Sequence, residues 1–323
     1  MNEDRGVEIN DVAPSSLAHI VGQRSVIDQL RVAIDAAFED GRKLDSCLMV
    51  GGPGLGKSAL ARVISNEMAT DLHEVIGQSI TNHGDLNAFL LTAREKSVCH
   101  IDECHELKPA LQTALYLALD QRKLFMGGGK SVQSLPIADF TLLLSTTDEF
   151  CLLQPLRDRM RLVLRFEFYS DDELTTILKH RAKCLRWEVE DEVLPSIARR
   201  SRGTPRLALR LLQACYRVCR SGGETYITQD HLNRACSLEG IDEMGLGPIE
   251  QRYISILRDG PQRLNVIASL LGLPSRTIAQ VTEPFLIRAG LLIKDDQGRR
   301  QLTAQGYAHA SAQLDKSSSG RPA

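Results

Sequence analysis

Gly51-Gly52-Pro53-Gly54-Leu55-Gly56-Lys57-Ser58 is the stretch that decides the fold of this chain. Glycines at 51, 52, 54 and 56 open backbone conformations closed to residues with a Cβ, so successive N–H groups can turn inward around phosphate oxygens. Lys57 adds a point charge. Ser58 offers a hydroxyl to a Mg²⁺ ion bridging two phosphates, and the helix that starts here aims its positive end at the same anion. The flanks agree: Cys47-Leu48-Met49-Val50 is a short apolar run suited to a buried strand, and Ala59, Leu60, Val63, Ile64 and Met68 recur at helical spacing. Strand, glycine loop and helix in this order imply a P-loop that grips a nucleoside triphosphate.

A P-loop needs a second half. Ser97-Val98-Cys99-His100-Ile101-Asp102-Glu103 supplies a mostly apolar strand with two carboxylates at its C-terminal end. Asp102 is placed to hold the metal through water or Ser58. Glu103 is placed to polarise an attacking water, which implies hydrolysis rather than binding alone. His100 interrupts the apolar run and reads as a hydrogen-bonded interior residue.

At 323 residues the chain is long enough for two or three domains, and a hydrophobic content of 43% is ample for cores. Its longest apolar stretches fall short of a membrane span, and Met1 to Pro14 lacks the basic and apolar regions of a signal peptide, so the cytoplasm is the expected compartment. Eight cysteines without paired C-x-x-C spacing read as reduced interior residues. With a net charge of −2, contact with nucleic acid has to come from local patches or a ring of subunits. Arg199, Arg200, Arg202, Arg206, Arg210, Arg217 and Arg220 read at least as well as a solvated helix surface with one nucleotide contact as they do as a DNA face.

Val26 to Phe38 patterns as a helix, Pro109 opens another, and Phe140 to Ser145 is a further strand. Strands alternating with helices imply a parallel sheet covered on both faces, with the ligand at the carboxyl ends of its strands. From Asp171 to about Leu238 the pattern is helical throughout, and Gly240 to Gly247 looks like a hinge. Short helical patterns then lead to Leu291-Leu292-Ile293, a polar turn at Asp295 to Gly298, and Gln301-Leu302-Thr303, which together describe a winged helix.

From about Leu17 to Ala312 the chain resembles the RuvB family of Holliday-junction branch-migration motors, AAA+ ATPases. The P-loop alone indicates only an ATPase. More specific are Ile20-Val21-Gly22-Gln23, Ile101-Asp102-Glu103-Cys104-His105, Pro155-Leu156-Arg157-Asp158-Arg159, Phe168-Tyr169, Ser201-Arg202-Gly203-Thr204-Pro205-Arg206, Ile241-Asp242-Glu243-Met244-Gly245-Leu246 and Glu283-Pro284-Phe285-Leu286-Ile287, in that order. The resemblance implies that Arg159 is an arginine finger for a neighbouring subunit and that Arg206 is a second sensor on the γ-phosphate. It makes Thr146, beside Thr147, the first sensor, and it places Tyr169 near the base. The resemblance also puts ATP against Gly51 to Ala59, Mg²⁺ on Ser58 and Asp102, and DNA phosphates on Lys294 and Arg299 with Arg300 adjacent. Partners implied are four-way junction DNA, further copies in a hexameric ring, and RuvA and RuvC.

Departures from the family pattern accompany the match. Val12-Ala13-Pro14 lacks an arginine, Ala59 stands for a threonine, and Asp148 and Glu149 reverse the sign of an arginine. Phe125 to Val132 rewrites the hairpin that docks on RuvA, and Asp295 and Asp296 place carboxylates between the basic wing positions.

The expected organisation is therefore a flexible 1–14, an α/β AAA+ core over 15–169, a helical lid over 170–240, a winged helix over 241–314 and a disordered 315–323. The expected activity is ATP hydrolysis driving branch migration in recombination and repair. Two alternatives stand beside it: a paralogue that remodels another nucleoprotein complex, and a nucleotide-gated binding module with vestigial hydrolysis.

Overall fold

The computed structural model describes residues 13–126 and 133–319, so most of the segment expected to be flexible at the start, and all of the 125–132 segment after Met126, lie outside the described residues. The described chain forms two units. One takes the chain through Trp187 together with Gly203–Leu209, and the other takes Glu188–Arg202 and the chain from Arg210 onward.

In the first unit the order is α1 (Arg24–Glu39), β1 (Cys47–Val50), α2 (Lys57–Glu67), β2 (Leu72–Ile76), α3 (His83–Leu90), β3 (Val98–Asp102) and α4 (Pro109–Gln121). There follow β4 (Lys123–Met126), β5 (Gln133–Pro136), β6 (Thr141–Thr146), α5 (Gln154–Arg157), β7 (Leu162–Arg165) and α6 (Asp171–Cys184). Five strands make a parallel sheet in the order β2-β3-β6-β1-β7. Leu142, Leu143 and Leu144 of β6 are all fully buried, as a central strand covered on both faces requires. Each contributes roughly 1.5–3 kcal/mol through burial. Because β1, β3 and β6 run in register, Val50, Asp102 and Thr146 finish at one edge of the sheet. That edge is where the glycine loop begins.

Local sequence sets the helix starts. Pro109 opens α4 at a position whose N–H would have no intrahelical partner. A capping box between Ser170 and Glu173 opens α6, and one between Asn82 and Asp85 opens α3. The antiparallel pair β4 and β5 is what the structure describes of the rewritten hairpin.

The remaining elements are α7 (Val193–Arg200), α8 (Pro205–Ser221), α9 (Gln229–Glu239), α10 (Pro248–Leu257), α11 (Leu264–Leu271), α12 (Ser275–Thr277), α13 (Glu283–Arg288) and α14 (Ala304–Ser319). Interspersed are the strands β8 (Glu188–Val189), β9 (Tyr226–Ile227), β10 (Leu292–Lys294) and β11 (Arg300–Leu302). The parallel pairing of β8 with β9 corrects the all-helical reading of this stretch; two-residue strands are too short to leave a periodic signal. Residues 241–246 are a knitted turn, in which one Asp242 carboxylate oxygen accepts from the Met244 and Leu246 N–H groups at 2.9 and 2.8 Å. Antiparallel β10 and β11 form the wing beyond a core of Leu246, Tyr253, Ile254, Leu257, Ile267, Ile278, Leu286 and Leu302. Helix α14 runs to Ser319, so 315–319 of the stretch expected to be disordered are helical, and 320–323 lie outside the described residues. Among the described residues no helix is long and apolar enough to cross a membrane.

Candidate active site

At the carboxyl edge of the first unit's sheet lies a cavity of about 670 Å³, the size of a ligand site, lined by Pro53, Gly54, Gly56, Lys57, Ser58, Ala59, Asp102, Glu103, Tyr169 and Arg206 among others. Gly54 and Gly56 take φ of +75° and +103°, in the left-handed region. A Cβ on Gly54 would stand 2.8 Å from Cβ of Arg206, so glycine is what lets Arg206 approach the loop. Lys57 is 5% exposed and its Nζ donates to the Gly51 and Gly52 carbonyls at 2.8 and 2.9 Å. Burial lowers its pKa, while the nearby charges of Glu103 and Asp102 favour the ammonium.

The second half of the site meets the first directly. Ser58 Oγ donates to Asp102 Oδ2 at 2.7 Å, and the Glu103 N–H donates to Asp102 Oδ1 at 3.0 Å. A hydroxyl and a carboxylate so close form a hard-oxygen pair suited to Mg²⁺. Glu103 has φ of +49°, a left-handed conformation unusual for a residue with a side chain. Its backbone is backed by Gly77, where a Cβ would stand 2.6 Å from the Glu103 carbonyl oxygen. Gly77→Ala should therefore push Glu103 off its geometry and lower kcat by roughly ten-fold or more. ATPase kinetics on the melting-checked variant decide the point, since an unchanged kcat removes Gly77 from the site.

Other predicted residues are placed as follows. Tyr169 is 9% exposed and donates its hydroxyl to the Leu55 carbonyl at 3.2 Å; burial pushes its pKa up to about 12. Thr146 is fully buried and does not line the cavity; its Oγ1 lies 3.1 Å from His105 Nδ1 and accepts the Asp148 N–H at 2.9 Å. Arg159 also stands outside the cavity. Its Nε lies 2.9 and 3.0 Å from the two carboxylate oxygens of Asp120, and its guanidinium sits 4.8 Å from the Tyr116 ring centroid. His100 is fully buried, with Nδ1 at 2.9 Å from Glu74 Oε1 and Nε2 at 2.7 Å from Ser145 Oγ. The sign-reversed pair has local work: Asp148 caps the turn at Glu149–Cys151, and Glu149 binds Arg165 at 2.6 Å.

In the second unit the wing's basic residues are all ion-paired. Lys294 Nζ lies 3.0 Å from Glu283 Oε2, Arg300 Nε lies 2.8 Å from Glu283 Oε1, and Arg299 Nε lies 2.8 Å from Asp295 Oδ2. Burial would raise the pKa of Glu283, yet bonds from Arg300, Lys294 and Tyr253 hold it below the ordinary range. Arg300, with a side chain 12% exposed, is a structural partner of Glu283 more than a surface cation. Asp295 also accepts the Gln297 and Arg299 N–H groups at 2.9 and 2.8 Å, so it builds the wing tip.

Sequence reasoning gave no role to His105, Gly77 or Asp120. His105 stood inside a quoted motif, whereas the other two are signalled only by contacts distant in sequence.

The profile of the Holliday junction DNA helicase RuvB P-loop domain matches residues 12–166, that of the RuvB AAA lid domain residues 169–242, and that of the RuvB C-terminal winged helix domain residues 243–311. The chain belongs to the RuvB family. It is 38% identical over 304 residues to the Holliday junction branch migration complex subunit RuvB of Kosmotoga olearia, covering 92% of this chain and 89% of that one. With the Thermotoga maritima RuvB subunit the identity is 36% over 314 residues, covering 95% and 93%. The solved structure of the Thermotoga maritima RuvB Holliday junction branch migration motor superimposes with a TM-score of 0.81 at 34% identity, covering 93% of this chain and 98% of that one. This RuvB-family chain is thus a P-loop nucleotide-binding protein with an AAA+ core, a lid and a winged helix.

Proposed function

We propose that this RuvB-family chain is an ATP-driven DNA motor that moves Holliday junction branch points in recombination and repair. The single observation that carries the reading is the joining of Lys57, Ser58, Asp102 and Glu103 at one sheet edge, beside a cavity large enough for a nucleotide.

In this reading the loop N–H groups and Lys57 hold the phosphates, and the Lys57 ammonium leaves the Gly51 and Gly52 carbonyls to do so. Ser58 and Asp102 would hold Mg²⁺, which supplies positive charge to the β- and γ-phosphates when bound. Glu103 accepts a proton from water as its oxygen attacks the γ-phosphorus, and the bond from that phosphorus to the ADP oxygen breaks. Arg206, packed on Gly54, senses the γ-phosphate. Arg159, outside its own cavity, leaves Asp120 and completes the site of a neighbouring copy in a ring. Tyr169 borders the base. RuvA and RuvC are the proposed protein partners, and the cytoplasm the compartment.

A second reading, remodelling of a different nucleoprotein complex, is favoured by one observation: Lys294, Arg299 and Arg300 are occupied by Glu283 and Asp295 rather than presented singly to phosphate. Steady-state ATPase with and without synthetic four-way junction DNA separates the two. Stimulation by the junction is expected of the motor. Turnover indifferent to DNA contradicts it and favours the remodeller.

A further inference from the structure

His105 lies on the short turn Cys104–Glu106 that follows the Glu103 carboxylate, its side chain 18% exposed. Its Nδ1 is 3.1 Å from Thr146 Oγ1 and 3.4 Å from Glu103 Oε2, and its Nε2 is 3.7 Å from Glu106 Oε1. Thr146 Oγ1 already accepts the Asp148 N–H, which leaves the hydroxyl its own proton to place. An imidazole nitrogen carries either a proton or a lone pair. When Nδ1 has the proton it donates to Thr146 Oγ1, and a small turn of the ring would aim the same proton at the Glu103 carboxylate 3.4 Å away. When it has the lone pair it accepts the Thr146 O–H and offers Glu103 nothing. The two partners compete for one atom.

We infer that His105 is a positioning residue, whose Nδ1 sets the orientation of the Glu103 carboxylate and ties it to the state of the Thr146 hydroxyl. Thr146, sealed from the cavity, thereby gains a route to the reaction through the ring. The inference rests on the proposed role of Glu103 as the base. It assigns the histidine no contact with the nucleotide and no proton transfer in the chemical step.

The test is a kinetic series on the full-length chain, each variant checked for an unchanged melting temperature. His105→Ala should lower kcat for ATP roughly 10–100-fold, the order expected when a reacting group is misplaced by about an ångström. The KM for ATP should stay within about two-fold, since the phosphate cradle is untouched. His105→Asn, whose amide nitrogen reaches the Nδ1 position, should recover most of the loss, and His105→Gln, which reaches the Nε2 position, should not. Thr146→Val should add little in the His105→Ala background, because both changes break one link. Wild-type kcat in His105→Ala, a loss confined to KM, or an Asn variant as slow as Ala overturns the inference. Glu103→Gln is measured alongside: if it is inactive while His105→Ala is normal, only the positioning role falls, and if it turns over ATP normally, the base assignment falls with it.

Discussion

Glu103→Gln should reduce ATP turnover by about 10²–10⁴-fold, the range for loss of a positioned general base, while ATP binding stays near wild type. The amide keeps the shape of the carboxylate but has no basicity. Everything that grips phosphate lies elsewhere: the loop N–H groups, Lys57, and the Ser58–Asp102 pair, which contacts Glu103 only through its backbone N–H. Steady-state hydrolysis paired with fluorescent-nucleotide titration reads the two quantities separately. An equal fall in binding would show that Glu103 holds the ligand rather than activating water.

Arg159→Ala carries the second large effect. A guanidinium supplied to a phosphoryl-transfer site is worth about 10³–10⁵ in rate, so the variant alone should be nearly inactive. Its folding should hardly change, because the ion pair with Asp120 is a solvent-exposed one and such pairs add little to stability. Nucleotide titration of the unassembled variant should match wild type, since Arg159 does not line the cavity of its own chain. Normal turnover in Arg159→Ala rings would remove the finger from the mechanism.

Much of this was legible because the chemistry is encoded locally. The P-loop and the Asp102-Glu103 pair are contiguous strings, each at the end of an apolar run, and the parallel sheet then places both at one edge. The alternation of helices and the Leu291–Thr303 hairpin likewise exposed the winged helix. Contacts remote in sequence were hidden. Nothing near Gly77 says that its missing Cβ makes room for the Glu103 backbone, and nothing near Lys294 says that Glu283 will take its charge. The resemblance makes Thr146 the first sensor, and the structure buries it at the end of β6 with its hydroxyl 3.1 Å from His105 Nδ1. Strand position alone does not report which way a hydroxyl turns. The two-residue strands β8 and β9 escaped because a periodic pattern needs more residues than they contain.

The central claim is that one chain lends the cradle and Glu103, and its neighbour lends Arg159. Mixing Glu103→Gln protein with Arg159→Ala protein tests it most directly. Each is inactive alone, but wherever an Arg159→Ala chain supplies the cradle and a Glu103→Gln chain supplies the guanidinium, the seam between them is complete. The account predicts that the mixture recovers ATPase activity, with a maximum near equal proportions. A mixture that forms joint rings by native mass spectrometry and stays as inactive as its parts contradicts it.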